Sequence, residues 1–171
     1  MIIKNARLLI IALLFCSCTG HPYNKDKHDI EFFLNNFIKI DFNLKTLKID
    51  YVDLHYSDTV RLTRVEETEI IKSFEANRIN EIKVNPIYAT NGYLVMPPSG
   101  LKIKVFFERK LQSEMFIEYS YPKLERPAVN QEDRVINFRN TVLRILDKNV
   151  QIKKAKAIFL KYQSDNNFFD L

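Results

Sequence analysis

LKIKVFFERKLQSEMFIEYSY, residues 101–121, alternates apolar and other side chains along most of its length. Leu101, Ile103, Val105 and Phe107 fall on one face of an extended chain, and Met115, Ile117, Tyr119 and Tyr121 on one face of a second. Two such runs joined by a polar stretch predict an antiparallel hairpin. A slip of one residue would turn a whole strand inside out, so only every second register brings the apolar faces together. The register expected here sets Phe106 opposite Phe116 and Lys104 opposite Glu118 on the outer face, both favourable pairs. It leaves residues 109–113 as the turn, at the cost of Glu108 facing Glu114. A pairing of Phe107 with Ser113 would contradict it.

Upstream, residues 85–100 (NPIYATNGYLVMPPSG) carry Asn-Gly, Pro-Pro and Ser-Gly breakers and read as a long loop or irregular hairpin. Residues 81–84 (EIKV) read as a short strand. Thr63-Arg64-Val65-Glu66 spells a capping box, with Ile70, Ile71 and Phe74 as the buried stripe behind it and Val65 facing away. Residues 47–56 alternate as one strand, followed by a turn at Ser57-Asp58-Thr59 and an extended piece over 60–62. In residues 29–39, Ile30, Phe33, Leu34, Phe37 and Ile38 recur at helical spacing, which predicts a helix capped by Asp29.

Downstream of a Pro-containing loop, residues 132–148 place Val135, Phe138, Val142, Leu143, Ile145 and Leu146 in one helical arc. A strand over 134–138 followed by a shorter helix satisfies the same residues. In residues 151–162, Ile152, Ala155, Phe159 and Tyr162 favour helix. The expected fold is α+β: a mainly antiparallel sheet with an N-terminal helix, one crossing helix and C-terminal helices. The chain has 171 residues, 46% hydrophobic and 27% charged, which suits one domain and argues against wholesale disorder.

The N-terminus has a different character. Lys4 and Arg7 precede the apolar run 8–15 (LLIIALLF), which ends in Cys16-Ser17-Cys18-Thr19-Gly20. Eight apolar residues are far fewer than the ~20 needed to cross a bilayer as a helix, and the order of charge, apolar run and small residues is that of an export signal. The segment resembles a bacterial lipoprotein signal, with Ser17 before Cys18 and Phe15 three before it. Phenylalanine in place of the more usual leucine resembles the lipoboxes of Bacteroidetes-type bacteria. Cys16 is the rival, but bulky Phe15 precedes it directly. The resemblance implies that residues 1–17 are a signal peptide, that Cys18 carries the lipid and that the mature chain has no free thiol. It further implies a cell-envelope location, anchored to the outer membrane and facing the periplasm. Residues 18–27 then read as a tether and 28–171 as a single domain. Loss of Lys4 and Arg7 lowers the formal charge from +5 to +3, a solvated surface rather than a nucleic-acid footprint.

Catalytic spellings are absent: there is no Gly-x-Ser-x-Gly, His-Glu-x-x-His, Walker loop or Gly-x-Gly-x-x-Gly. His21 and His28 fall in the tether or at its edge, leaving His55 as the histidine expected inside the domain, in a strand. Asp50 and Asp53 lie on opposite faces of their predicted strand. Glu114 and Glu118 share a face about 13 Å apart, beyond the roughly 6.5–9.5 Å of an inverting glycosidase pair. Glu66, Glu67, Glu69 and Glu75 read as one solvated helix face. Residues 134–161 hold eight Lys or Arg against Asp147, either lysines facing water or a surface for anionic lipid. Tyr88, Tyr93, Leu94 and Met96 are the candidate partner contacts, unless their loop folds back over the sheet. No metal, cofactor or nucleic acid is expected. The reading is a lipid-anchored, non-catalytic envelope protein that binds another protein or a small ligand, in the manner of an inhibitor or immunity protein. An envelope hydrolase using carboxylates gathered by folding is the alternative.

Overall fold

The computed structural model describes residues 22–82, 85–89, 99–121 and 130–166. Within them the chain forms a seven-stranded sheet with helices packed on one face, the α+β class expected. The strands are β1 (His28–Leu34), β2 (Ile38–Asp41), β3 (Thr46–Tyr51), β4 (Leu54–Thr59), β5 (Ile87–Tyr88), β6 (Gly100–Phe107) and β7 (Lys110–Glu118). Their spatial order is β4-β3-β2-β1-β6-β7-β5, antiparallel throughout except for β5, which lies parallel to β7.

The hairpin over residues 101–121 forms with the expected faces inward: Leu101, Ile103, Val105, Met115 and Ile117 are all buried. Its register differs from the expectation. Lys104 faces Glu114 and Lys102 faces Phe116, and the connection is a tight turn at Glu108-Arg109, both at positive φ. A two-residue turn pairs Phe107 with Lys110, which by itself would leave the apolar faces out of step. A bulge between Val105 and Phe106 takes up the odd residue on β7 and restores them. Glu114 therefore meets Lys102 and Lys104, at 3.7 and 3.6 Å, instead of Glu108.

The N-terminal helix is replaced by the β1–β2 hairpin. Phe32 is apolar as well, so Ile30, Phe32 and Leu34 also fit a period of two, and these three are the buried ones. Asn35 and Asn36 adopt φ of 52° and 64°, a left-handed turn that asparagine tolerates. As the strand between β2 and β6, β1 has its backbone hydrogen bonds taken up from both sides. The single strand over 47–56 is likewise two, β3 and β4, folded at Val52-Asp53 without glycine or proline. Val52 takes φ 49° there, costly for a β-branched residue. The predicted turn at 57–59 belongs to β4; of the predicted strand over 81–84, Glu81 ends a short 3-10 turn, Ile79–Glu81, and residues 83–84 lie outside the described residues.

Three helices cover the inner face: α1 (Arg64–Ala76), α2 (Gln131–Leu146) and α3 (Val150–Asp165). Thr63 caps α1 in the full capping box with Glu66, and Val65, 75% exposed, points away as the spacing implied. The span 132–148 is one helix, with no strand at its start. Its Phe138 sits between Phe32 of the sheet and Phe74 of α1, ring centroids 6.3 and 5.9 Å away, so sheet and helices share one core. Residues before 28 pack on the domain as well. The Tyr23 hydroxyl donates to Asn43 Oδ1 at 2.6 Å and its ring lies against His28, Phe42 and Phe74.

Candidate functional site

A concavity of about 630 Å³ is lined by Tyr119, just past the end of β7, by residues of the second half of α2, and by Lys156 of α3. Arg139 anchors its wall. It is only 1% exposed, and its Nη1 donates to the carbonyl oxygens of Glu118 (3.1 Å) and Tyr121 (3.0 Å). Its Nε and Nη2 donate to Asn140 Oδ1. Burial draws its pKa below the ordinary value, yet a guanidinium remains charged at neutral pH. Thr141 is held by Ser73 Oγ at 3.1 Å. At the rim Arg144 pairs with Glu69, and Lys156 with Asp147 at 2.7 Å.

Tyr119 supplies the unusual group. Burial pushes its hydroxyl well above the usual tyrosine range, with nearby Asp147 adding to the shift and the Asn35 backbone partly offsetting it. The hydroxyl oxygen is buried and meets no partner at hydrogen-bonding geometry among the described residues. It stays protonated through neutral pH and sits in the wall of the concavity.

A second concavity, of about 450 Å³, lies on the helix-free face of the sheet, between Asn85–Ile87 and the strands carrying Lys102, Glu114 and Phe116. Beside it the ammonium groups of Lys39, Lys102 and Lys104 stand 5.4–5.8 Å from the Phe33 ring centre. Glu31 and Glu114 neutralise much of that charge, so the patch is a mixed one rather than an anion trap.

Of the candidate partner contacts, Tyr88 lies on β5, half-buried, with its ring 5.9 Å from that of Tyr121. Tyr93, Leu94, Met96 and the lipidation candidate Cys18 lie outside the described residues. His55 is exposed on β4 beside Asp50 (3.0 Å), whereas His28, assigned to the tether edge, is the buried histidine, 1% exposed at the start of β1. The α1 glutamates hold structural partners: Glu66 the cap, Glu67 Lys45, Glu69 Arg144, and Glu75 the Tyr23 amide. Among the described residues, no three His, Cys, Asp or Glu side chains gather in a metal-binding group, and no helix is long and apolar enough to cross a membrane.

Sequence reasoning passed over Arg139 while counting it among the basic residues of the C-terminal third. Its spacing held the signal, since it stands four residues after Val135 and three before Val142, inside the buried stripe. Arg134, Arg144, Lys154 and Lys156 of the same third also make ion pairs, with Glu81, Glu69, Asp58 and Asp147. That leaves less free charge for a lipid surface than the composition suggests. No protein family, curated protein or solved structure matches this chain.

Proposed function

We propose that this is a lipid-anchored, non-catalytic protein of the bacterial cell envelope, held at the outer membrane through Cys18, that binds a small anionic ligand in the Tyr119–Arg139 concavity. The concavity carries the ligand reading: in its wall the Tyr119 hydroxyl meets no partner at hydrogen-bonding geometry among the described residues, and a ligand oxygen that reached it would recover part of the roughly 1–3 kcal/mol that such a buried donor costs. The volume of about 630 Å³ lies within the ~300–1,000 Å³ range of small-molecule sites. Arg139, Arg144 and Lys156 against Asp147 and Glu69 leave a small positive balance, which favours an anion, such as a small carboxylate or phosphate ester, that can also accept from Tyr119.

A thermal-shift screen of small carboxylates and phosphate esters tests the ligand reading. A binder should raise the melting temperature of the native chain and leave Leu143→Trp, in which the indole fills the concavity, unmoved. Equal shifts in both proteins, or none across the panel, would count against the site. The anchor is tested separately: Cys18→Ala should abolish acyl labelling and globomycin-sensitive processing, and an unchanged pattern would refute it.

A further inference from the structure

The docking of Tyr23 fixes how close the folded domain stands to the anchor residue. Besides the hydroxyl bond to Asn43, the Tyr23 amide donates to Glu75 Oε1 at 3.0 Å. The Asn43 side chain in turn donates to the His28 and Lys25 carbonyls and to Asp29 Oδ1, clamping this segment to the β2–β3 turn. Only residues 19–22 separate Cys18 from Tyr23. Whatever conformation they adopt, that span reaches at most ~18 Å at about 3.6 Å per residue. A domain of this size measures roughly 38 Å across, from a radius of gyration of about 15 Å.

The same end of the sheet holds the β2–β3 turn and the β6–β7 turn, which Lys27 ties to the segment through Glu108 at 3.0 Å. It shows two bare leucines, Leu44 at 72% and Leu111 at 50% exposure. Around them Lys25, Arg109 and Lys110 make no ion pair among the described residues, while Lys27 and Lys45 are held by Glu108 and Glu67. Asp26 is the other acid in these loops. The opposite end carries Asp50 and Asp53 at the β3–β4 turn, and Tyr119 beyond the last residue of β7. Nine residues of β7 place the two ends roughly 30 Å apart at ~3.4 Å per residue.

We infer that the β2–β3 and β6–β7 turns rest on an anionic bilayer, with Leu44 and Leu111 at the headgroups, and that the sheet stands up from it with Tyr119 at the distal end. This rests on lipidation at Cys18. The leash is shorter than the domain, so the near end stays at the membrane, and its leucines and unpaired cations suit that surface.

The chain contains no tryptophan, so single-tryptophan variants report position cleanly. Acylated protein extracted from membranes is placed in phosphatidylethanolamine–phosphatidylglycerol vesicles with headgroup-region spin-labelled lipid. Leu44→Trp and Lys110→Trp, both at exposed positions, should be quenched severalfold more than Asp53→Trp. Quenching of Asp53→Trp equal to or above theirs, as for a domain lying flat or inverted, overturns the orientation. A mass spectrum taken first separates the two ideas, because an unacylated product overturns the anchor itself.

Discussion

Arg139 on α2 donates through Nη1 to the carbonyl oxygen of Glu118 at the end of β7, 3.1 Å away. The same nitrogen reaches Tyr121, so one buried guanidinium closes the exit of the hairpin onto the helix that follows it. The Glu118 carbonyl also accepts from the Tyr121 amide at 3.1 Å, so the guanidinium reinforces a turn that the backbone itself begins to close, and a backbone carbonyl that loses a donor is costly.

Arg139→Ala should therefore destabilise the fold by about 3 kcal/mol, since it removes a charged donor from the Glu118 and Tyr121 carbonyls and opens a void in the core. For a domain of this size that is roughly 6–12 °C in melting temperature. Arg139→Lys keeps the charge but not the planar fork, and should fall between the two in urea denaturation.

Tyr119→Phe should behave in the opposite sense. It removes a buried hydroxyl that meets no partner at hydrogen-bonding geometry among the described residues, so the free protein should be as stable as the native chain or slightly more so. Binding of a ligand in the concavity should weaken about tenfold, read by titration calorimetry. A marked loss of stability would show that the hydroxyl is satisfied in the folded protein.

Gly100 is required for close approach rather than for its φ. A Cβ there would lie 2.5 Å from the Phe116 ring and 2.6 Å from the Ile117 carbonyl oxygen. The ring can move but the backbone carbonyl cannot without shifting the β6–β7 ladder. Gly100→Ala should cost about 1–3 kcal/mol in denaturant unfolding.

Thr63 and Glu66 satisfy each other's backbone amides at the start of α1. Thr63→Ala should cost about 1 kcal/mol, and Glu66→Ala, which removes the other reciprocal bond, should also lower stability in urea denaturation.

Burial pushes the Tyr23 hydroxyl from 10.0 up to about 12, against the lowering effect of its bond to Asn43. The neutral form is thus favoured in the folded state. Its contribution to stability is complete below the unfolded value of 10.0 and fades as pH rises towards 12. Tyr23→Phe should lose the Asn43 bond yet show a shallower loss of stability between those limits, measured as the difference between the two proteins in urea titrations. Parallel curves would show that Tyr23 ionises freely.

The capping box, the two C-terminal helices and the inward faces of β6 and β7 were legible because their signals are local. A Thr and a Glu three residues apart can satisfy each other with no help from the rest of the chain. Residues 29–39 misled because Ile30, Phe32, Phe33, Leu34, Phe37 and Ile38 satisfy both periods at once. The choice went to the strand because β2 and β6 complete its backbone hydrogen bonds. The turn at Val52-Asp53 had no glycine or proline to announce it and exists because β4 pairs with β3 and sets the half-buried Tyr56 opposite Ile49.

Sequence alone determined the α+β class and the hairpin's facing, since each rests on the order and spacing of side chains within one segment. Tertiary structure alone decided the β6–β7 register, the burial of His28 and Arg139, the docking of Tyr23 and the concavity around Tyr119. Those depend on groups far apart in the chain meeting at fixed distances, and the spacing of residues along one segment carries no record of what another segment will bring to it.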